Sequence, residues 1–105
     1  MAGGEMNLLK QAQMMNSRIQ EVQAELKERI EEGTAGGGAV KVFMNGQRQI
    51  MGVKIDPDAV DPEDVETLEE LVETAVKIAL EKAHELEQRE MNKITGGLNL
   101  PGLNF

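Results

Sequence analysis

The chain has no cysteine, tryptophan or tyrosine, and a single histidine. Without cysteine there is no disulfide framework, no thiolate metal site and no cysteine nucleophile. One histidine cannot build an all-protein His₂ or His₃ metal site within a chain. Phe43 and Phe105 are the only aromatic residues, too few for the platforms on which single-stranded bases stack. No apolar run approaches the roughly 20 residues a bilayer span needs. The opening MAGGEMNLLKQAQ lacks the basic region followed by an apolar stretch that marks a secretory signal. The expectation is a cytoplasmic protein with no membrane partner, metal or cofactor.

What is present is ordinary for one small domain: 105 residues, 40% hydrophobic and 29% charged. The net charge of −8 is uneven. Residues 1–54 carry seven Lys/Arg and six Asp/Glu, and residues 55–105 carry four and thirteen. An acidic whole repels nucleic acid, so a polyanion would have to meet a local basic surface in the first half.

Residues 5–31 read as a helix. Leu8, Ala12, Met15, Ile19, Val22 and Leu26 are spaced alternately by four and three, an a/d seam of nearly three heptads. Leu9 and Ile30 widen it, helix formers fill the rest, and Gly33 supplies a stop. The seam suits either a helix packed on its own sheet or a helix–helix contact between chains. Residues 32–55 read as a sheet: a short strand around Glu32–Ala35, a glycine-rich breaker, then strands Val40–Met44 and Gln49–Ile55 joined at Asn45-Gly46. Alternation puts Val40 and Val42 on one face, opposite Lys41 and Phe43. Met51, Val53 and Ile55 likewise share a face. An apolar sheet face needs a helix to cover it.

A second helix is predicted over 62–95, with Asp61 as N-cap, Pro62 at the first helical position and Asp64 as the acid of a capping box. Its first two-thirds are rich in apolar residues that can cover the sheet. Beyond His84 it reads as a protruding arm. Gly96-Gly97 ends it, leaving a tail over 96–105 that is expected to be mobile or docked on a partner. Helices of these lengths span about 40 and 50 Å, whereas a compact domain of this size has a radius of gyration of about 13 Å. They must project, and their apolar positions need cover from another chain. A homodimer follows, most simply with two-fold symmetry.

Chemistry is hard to find. The glycine cluster at 33–38 lacks the Lys-Ser/Thr and following helix of a phosphate loop. An EF-hand starting at Asp56 would need Gly at Asp61 and Glu at Thr67. His84 has no nucleophile placed beside it, and Ser17 is the only serine. No enzyme is expected. Candidate polyanion contacts are Lys10, Arg18, Lys27 and Arg29 on the first helix, Lys41, Arg48 and Lys54 on the hairpin, and Arg89 and Lys93 near the end of the second helix. The same features also fit a non-enzymatic helical interaction module or adaptor dimer.

One family shares this order of segments. Asn7-Leu8-Leu9-Lys10-Gln11-Ala12-Gln13 opens a Met- and Gln-rich helix. A glycine-rich turn precedes Val40-Lys41-Val42. Asn45-Gly46, Val53-Lys54-Ile55-Asp56-Pro57, the Leu68–Ala75 segment and Gly96-Gly97-Leu98-Asn99-Leu100-Pro101-Gly102 follow. In that order, over almost the whole chain, they resemble the YbaB/EbfC family of bacterial nucleoid-associated proteins. The resemblance implies a two-layer α+β fold, α-β-β-β-α, with a small antiparallel sheet and long projecting helices. It implies a homodimer whose arms bind double-stranded DNA like tweezers, in the cytoplasm at the nucleoid, linked to regulation of gene expression. It brings no catalytic residues. Acidic members occur in the family, so the charge of −8 is compatible with it. Charge and position, rather than a family motif, select Lys10, Arg18, Arg89 and Lys93 for phosphate contacts. The dimer seam is assigned to Leu8, Ala12, Met15, Ile19, Val22 and Leu26.

Overall fold

The computed structural model describes residues 2–95, with side chains from Asn7 onward. Helix α1 (Ala2–Glu28) leads into strands β1 (Ile30–Ala35), β2 (Val40–Asn45) and β3 (Ile50–Ile55). A single 3₁₀ turn (Pro57–Ala59) and helix α2 (Val65–Thr95) follow. The strands form one antiparallel sheet in the order β1-β2-β3. The predicted tail, 96–105, lies outside the described residues. The protein measures 75 × 25 × 16 Å, with a radius of gyration of 19.9 Å. It is elongated, as helix length alone required.

The core forms where α2 lies on β1 and β2. Ala75, Ala79 and Ala83 recur every fourth residue, so they share one face of α2, and all three are buried with Val40, Val42, Met44 and Ala35. Small side chains let the helix backbone settle close to the sheet. Gly33 is the reciprocal feature: a Cβ there would stand 2.1 Å from the Ala75 carbonyl oxygen. Gly33 therefore does not stop α1, as the sequence predicted. It sits inside β1, paired with Val42, and is small because the helix backbone runs directly above it.

α1 ends at Glu28, three residues short of the predicted end, because the hairpin supplies its cap. The N–H of Gly46 donates to the carbonyls of Leu26 (2.8 Å) and Arg29 (3.0 Å), and Gln47 Nε2 donates to the Gln23 carbonyl (2.8 Å). The Leu26 carbonyl, in the last turn of α1 where helical partners run out, is thus engaged from across the chain. Asn45 is almost completely buried. Its Oδ1 accepts from the N–H of Gln47 and Gln49, and its Nδ2 donates to Gln49 Oε1. Arg48 takes a left-handed φ of 64° to close the loop. Ile30 belongs to β1 and is exposed rather than widening the α1 seam.

α2 begins at Val65, not Pro62. Asp61 shapes the preceding turn by accepting from the Glu63 N–H (2.9 Å). Asp64 is the true cap: it accepts from the Thr67 N–H (3.3 Å) and the Thr67 hydroxyl (2.6 Å). Those two bonds hold its carboxyl below the ordinary value. Pro62 and Asp64 thus fill different roles from those predicted, because the chain inserts one more turn before the helix starts.

Candidate nucleic-acid interface

Two helices carry the predicted contacts. α1 and α2 pack through Val22 and Leu26 against Leu86, all buried, with Met91 and Ile94 alongside. The seam residues thus meet different fates. Val22 and Leu26 are buried within the chain, Met15 and Ile19 are half-buried, and Ala12 and Leu8 are exposed. Ile19 shares a hollow of about 280 Å³ with Gln23, His84, Glu87, Gln88 and Met91.

Lys10 and Arg18 are exposed on α1 and line one shallow depression of about 510 Å³ with Gln13, Met14, Ser17 and Glu21. Arg18 pairs loosely with Glu21 at 3.3 Å. On α2, Arg89 and Lys93 stand one turn apart and are both exposed. Lys93 pairs with Glu90 at 3.1 Å, and Arg29 approaches the same carboxylate at 3.9 Å. Among the described residues, Lys10 and Arg89 have no ion-pair partner. Exposed pairs of this kind contribute little and are readily exchanged, so all four cations can be offered to an external anion. Arg48 is more committed: it reaches Glu87 at 3.6 Å and ties the hairpin to α2.

The structure also shows a surface that sequence patterning read only halfway. Val53 pairs with Val42, Ile55 with Val40 and Ile50 with Met44, while Met51 is the extra residue of a β-bulge. Opposed residues share a face, so Ile50, Val53 and Ile55 lie on the side of the sheet that α2 packs against. α2 covers β1 and β2 and stops short of β3. Ile50, Met51, Val53 and Ile55 remain 40–57% exposed. Leu80, also exposed, adds an apolar point on α2 in a hollow of about 330 Å³ with Arg48, Lys77, Glu81 and His84. The alternation of β3 was legible; its missing cover was not, because that depends on where α2 sits.

A three-stranded sheet extended by two cation-bearing helices, with an uncovered apolar strand beside them, defines a class of small helical-armed α+β proteins. The chain belongs to the YbaB/EbfC DNA-binding family, whose family model matches residues 1–98. It is 53% identical over 97 residues to a nucleoid-associated protein of Thermoanaerobacter pseudethanolicus, covering 92% of this chain and 87% of that one. It is 50% identical over 104 residues to a nucleoid-associated protein of Desulforamulus reducens, covering 98% and 99%. The fold is shared with the crystal structure of an uncharacterized protein from Helicobacter pylori. That likeness has a TM-score of 0.70 at 22% identity, over 88% of this chain and 94% of that one.

Proposed function

We propose that this protein is a nucleoid-associated protein that binds double-stranded DNA as a homodimer, in the cytoplasm, with weak sequence preference and an influence on gene expression. Membership of a DNA-binding family over nearly the whole chain carries the reading. Lys10, Arg18, Arg89 and Lys93 would contact phosphates, which position a protein without reading sequence directly. The acidic start of α2 would face away from the duplex. The partner copy would cover the apolar shelf of Ile50, Met51, Val53 and Ile55 and extend to the open end of the α1 seam, Leu8 and Ala12. Exposed apolar side chains grouped in this way mark interaction surfaces, and closed two-fold pairing is the commonest way a single chain covers one.

Fluorescence anisotropy with a labelled duplex of mixed sequence, titrated at several salt concentrations, tests the reading. Saturable binding that weakens linearly on a log–log salt plot is expected, and the slope counts the phosphates contacted. Replacing Lys10, Arg18, Arg89 and Lys93 together with Ala should weaken binding while the protein keeps its dimeric mass. No binding at low salt would instead favour an adaptor dimer that recognises another protein.

A further inference from the structure

Between Glu32 and Asp56 the sequence contains no acidic residue, yet it contains Lys41, Arg48 and Lys54. In a chain of net charge −8, this acid-free stretch is the β2–β3 hairpin and the glycine turn before it. The fold then sorts these cations. Arg48 sits in the hairpin loop and is engaged by Glu87. Lys41 and Lys54 are direct cross-strand partners in the β2–β3 register. They lie on the face of the sheet opposite Val40 and Val42, the face that α2 does not touch.

Directly opposed side chains have Cβ atoms about 4.5–5.5 Å apart, and like charges in that position repel. A polar pair or a lysine–glutamate pair would serve the sheet better, so the arrangement is not explained by folding. The acids nearby do little to relieve it. Glu32 approaches Lys41 only to 3.9 Å, with both side chains over 40% exposed. The Asp56 carboxylate accepts from the Asp58 N–H. Among the described residues Lys54 has no ion-pair partner. Both lysines line a hollow of about 420 Å³ whose rim is Gly38, Ile55, Asp56 and Pro57. Gly37 and Gly38 present bare backbone beside it. A Cβ at Gly37 would meet nothing within 4 Å, and one at Gly38 would meet only the Lys41 chain.

We infer that the open face of the sheet is a second phosphate-contacting surface, in which Lys41 and Lys54 clasp one phosphate of the duplex backbone between them. The inference deepens the DNA-binding reading and rests on it. A phosphate is the anion that both ammonium groups can share, since it offers several oxygens to donors arriving from two strands. The bare glycine turn lets the neighbouring sugar–phosphate chain approach without a side chain in its way. Binding there would displace only the long, exposed Lys41–Glu32 ion pair, which contributes little.

The same anisotropy titration tests this with the full-length K41Q/K54Q variant. The log–log salt slope of the dimer should fall by about two, one phosphate for each protomer, with several-fold weaker binding at low salt. Thermal denaturation should be unchanged or shifted upward, because the opposed charges are gone. K41R/K54R should keep the wild-type slope. E32Q, which frees Lys41, should bind more tightly. If wild-type protein binds duplex and K41Q/K54Q matches it in slope and affinity, the sheet-face site is overturned while the arm contacts stand. If wild-type protein binds no duplex, the parent reading fails, and this one with it.

Discussion

Gly33 shows how one missing side chain positions a whole layer. A Cβ at that position would lie 2.1 Å from Ala75 O and 2.5 Å from Ala79 N, both backbone atoms that cannot move without moving α2. Gly33→Ala should therefore cost about 2–3 kcal/mol, the upper part of the range for overpacking. It would appear as a lower urea midpoint at unchanged slope. Gly37→Ala is the contrasting case. Its Cβ has open space, so only the φ of 68° is strained, and a loss of about 1 kcal/mol is expected. Asp64 gives a pH-dependent effect. Its carboxyl is held low first by the Thr67 hydroxyl and then by the Thr67 N–H, so the ionised form is favoured in the folded state. That stabilisation is complete above the unfolded carboxyl's pKa of about 3.9. It is lost as pH falls through the lower folded value. Melting curves of D64A and wild type should thus differ at pH 7 and converge in strong acid. D64N, which can still cap, should lie between them at pH 7. Sequence alone made Asp61 the N-cap and Asp64 only the acid of its capping box, whereas Asp64 is the cap of a helix that starts at Val65. The difference depends on whether the chain turns once more after Pro62. Gly33 read as a helix stop because its real neighbour, Ala75, is 42 positions away.

At the scale of elements, α1 is held by very little. Its buried contact with α2 is the Val22–Leu26–Leu86 cluster, and its end is capped by the hairpin through Gly46. Leu86→Ala should cost about 2–4 kcal/mol by the removed packing and the cavity left behind. Its effect should be local as well. Hydrogen exchange should quicken along α1 before the sheet loses protection, because the Ala75–Ala79–Ala83 face of α2 still holds β1 and β2. The helices and the hairpin were legible because their periods of 3.6 and 2 are written locally. The a/d seam was legible as a stripe, but its partner was not. Val22 and Leu26 carry no mark that assigns them to their own chain's Leu86, while Leu8 in the same stripe stays open. The candidate cations were legible as charges. Which of them act together depends on strand register, and the pairing of Lys41 with Lys54 is invisible until the bulge at Met51 is placed.

The whole molecule is a long, thin body, 75 Å by 16 Å at its extremes, and that shape sets the terms for assembly. A chain with this much surface per residue buries little of its own apolar area, and β3 is where the shortfall is exposed. Pairing with a second copy would cover β3 and fix two sets of arms at a constant spacing, which one chain cannot do. It would also double the charge, to −16 for the pair from −8 per chain. Long-range repulsion from DNA would therefore rise even as the local contacts are duplicated. Screening relieves the former over a Debye length of about 10 Å at 0.1 M salt, whereas counterion release weakens the latter steadily. Sedimentation velocity at micromolar concentration should give about 23 kDa, twice the chain's 11.5 kDa. Val53→Asp places a charge in the middle of the shelf, at a position half exposed in the single chain. It should leave helical circular dichroism largely intact while shifting the mass to 11.5 kDa. A V53D protein that still sediments as a pair would move the interface off β3. If V53D is monomeric and binds duplex much more weakly, although every arm and sheet-face cation is untouched, the fixed spacing of the arms is itself part of the binding site.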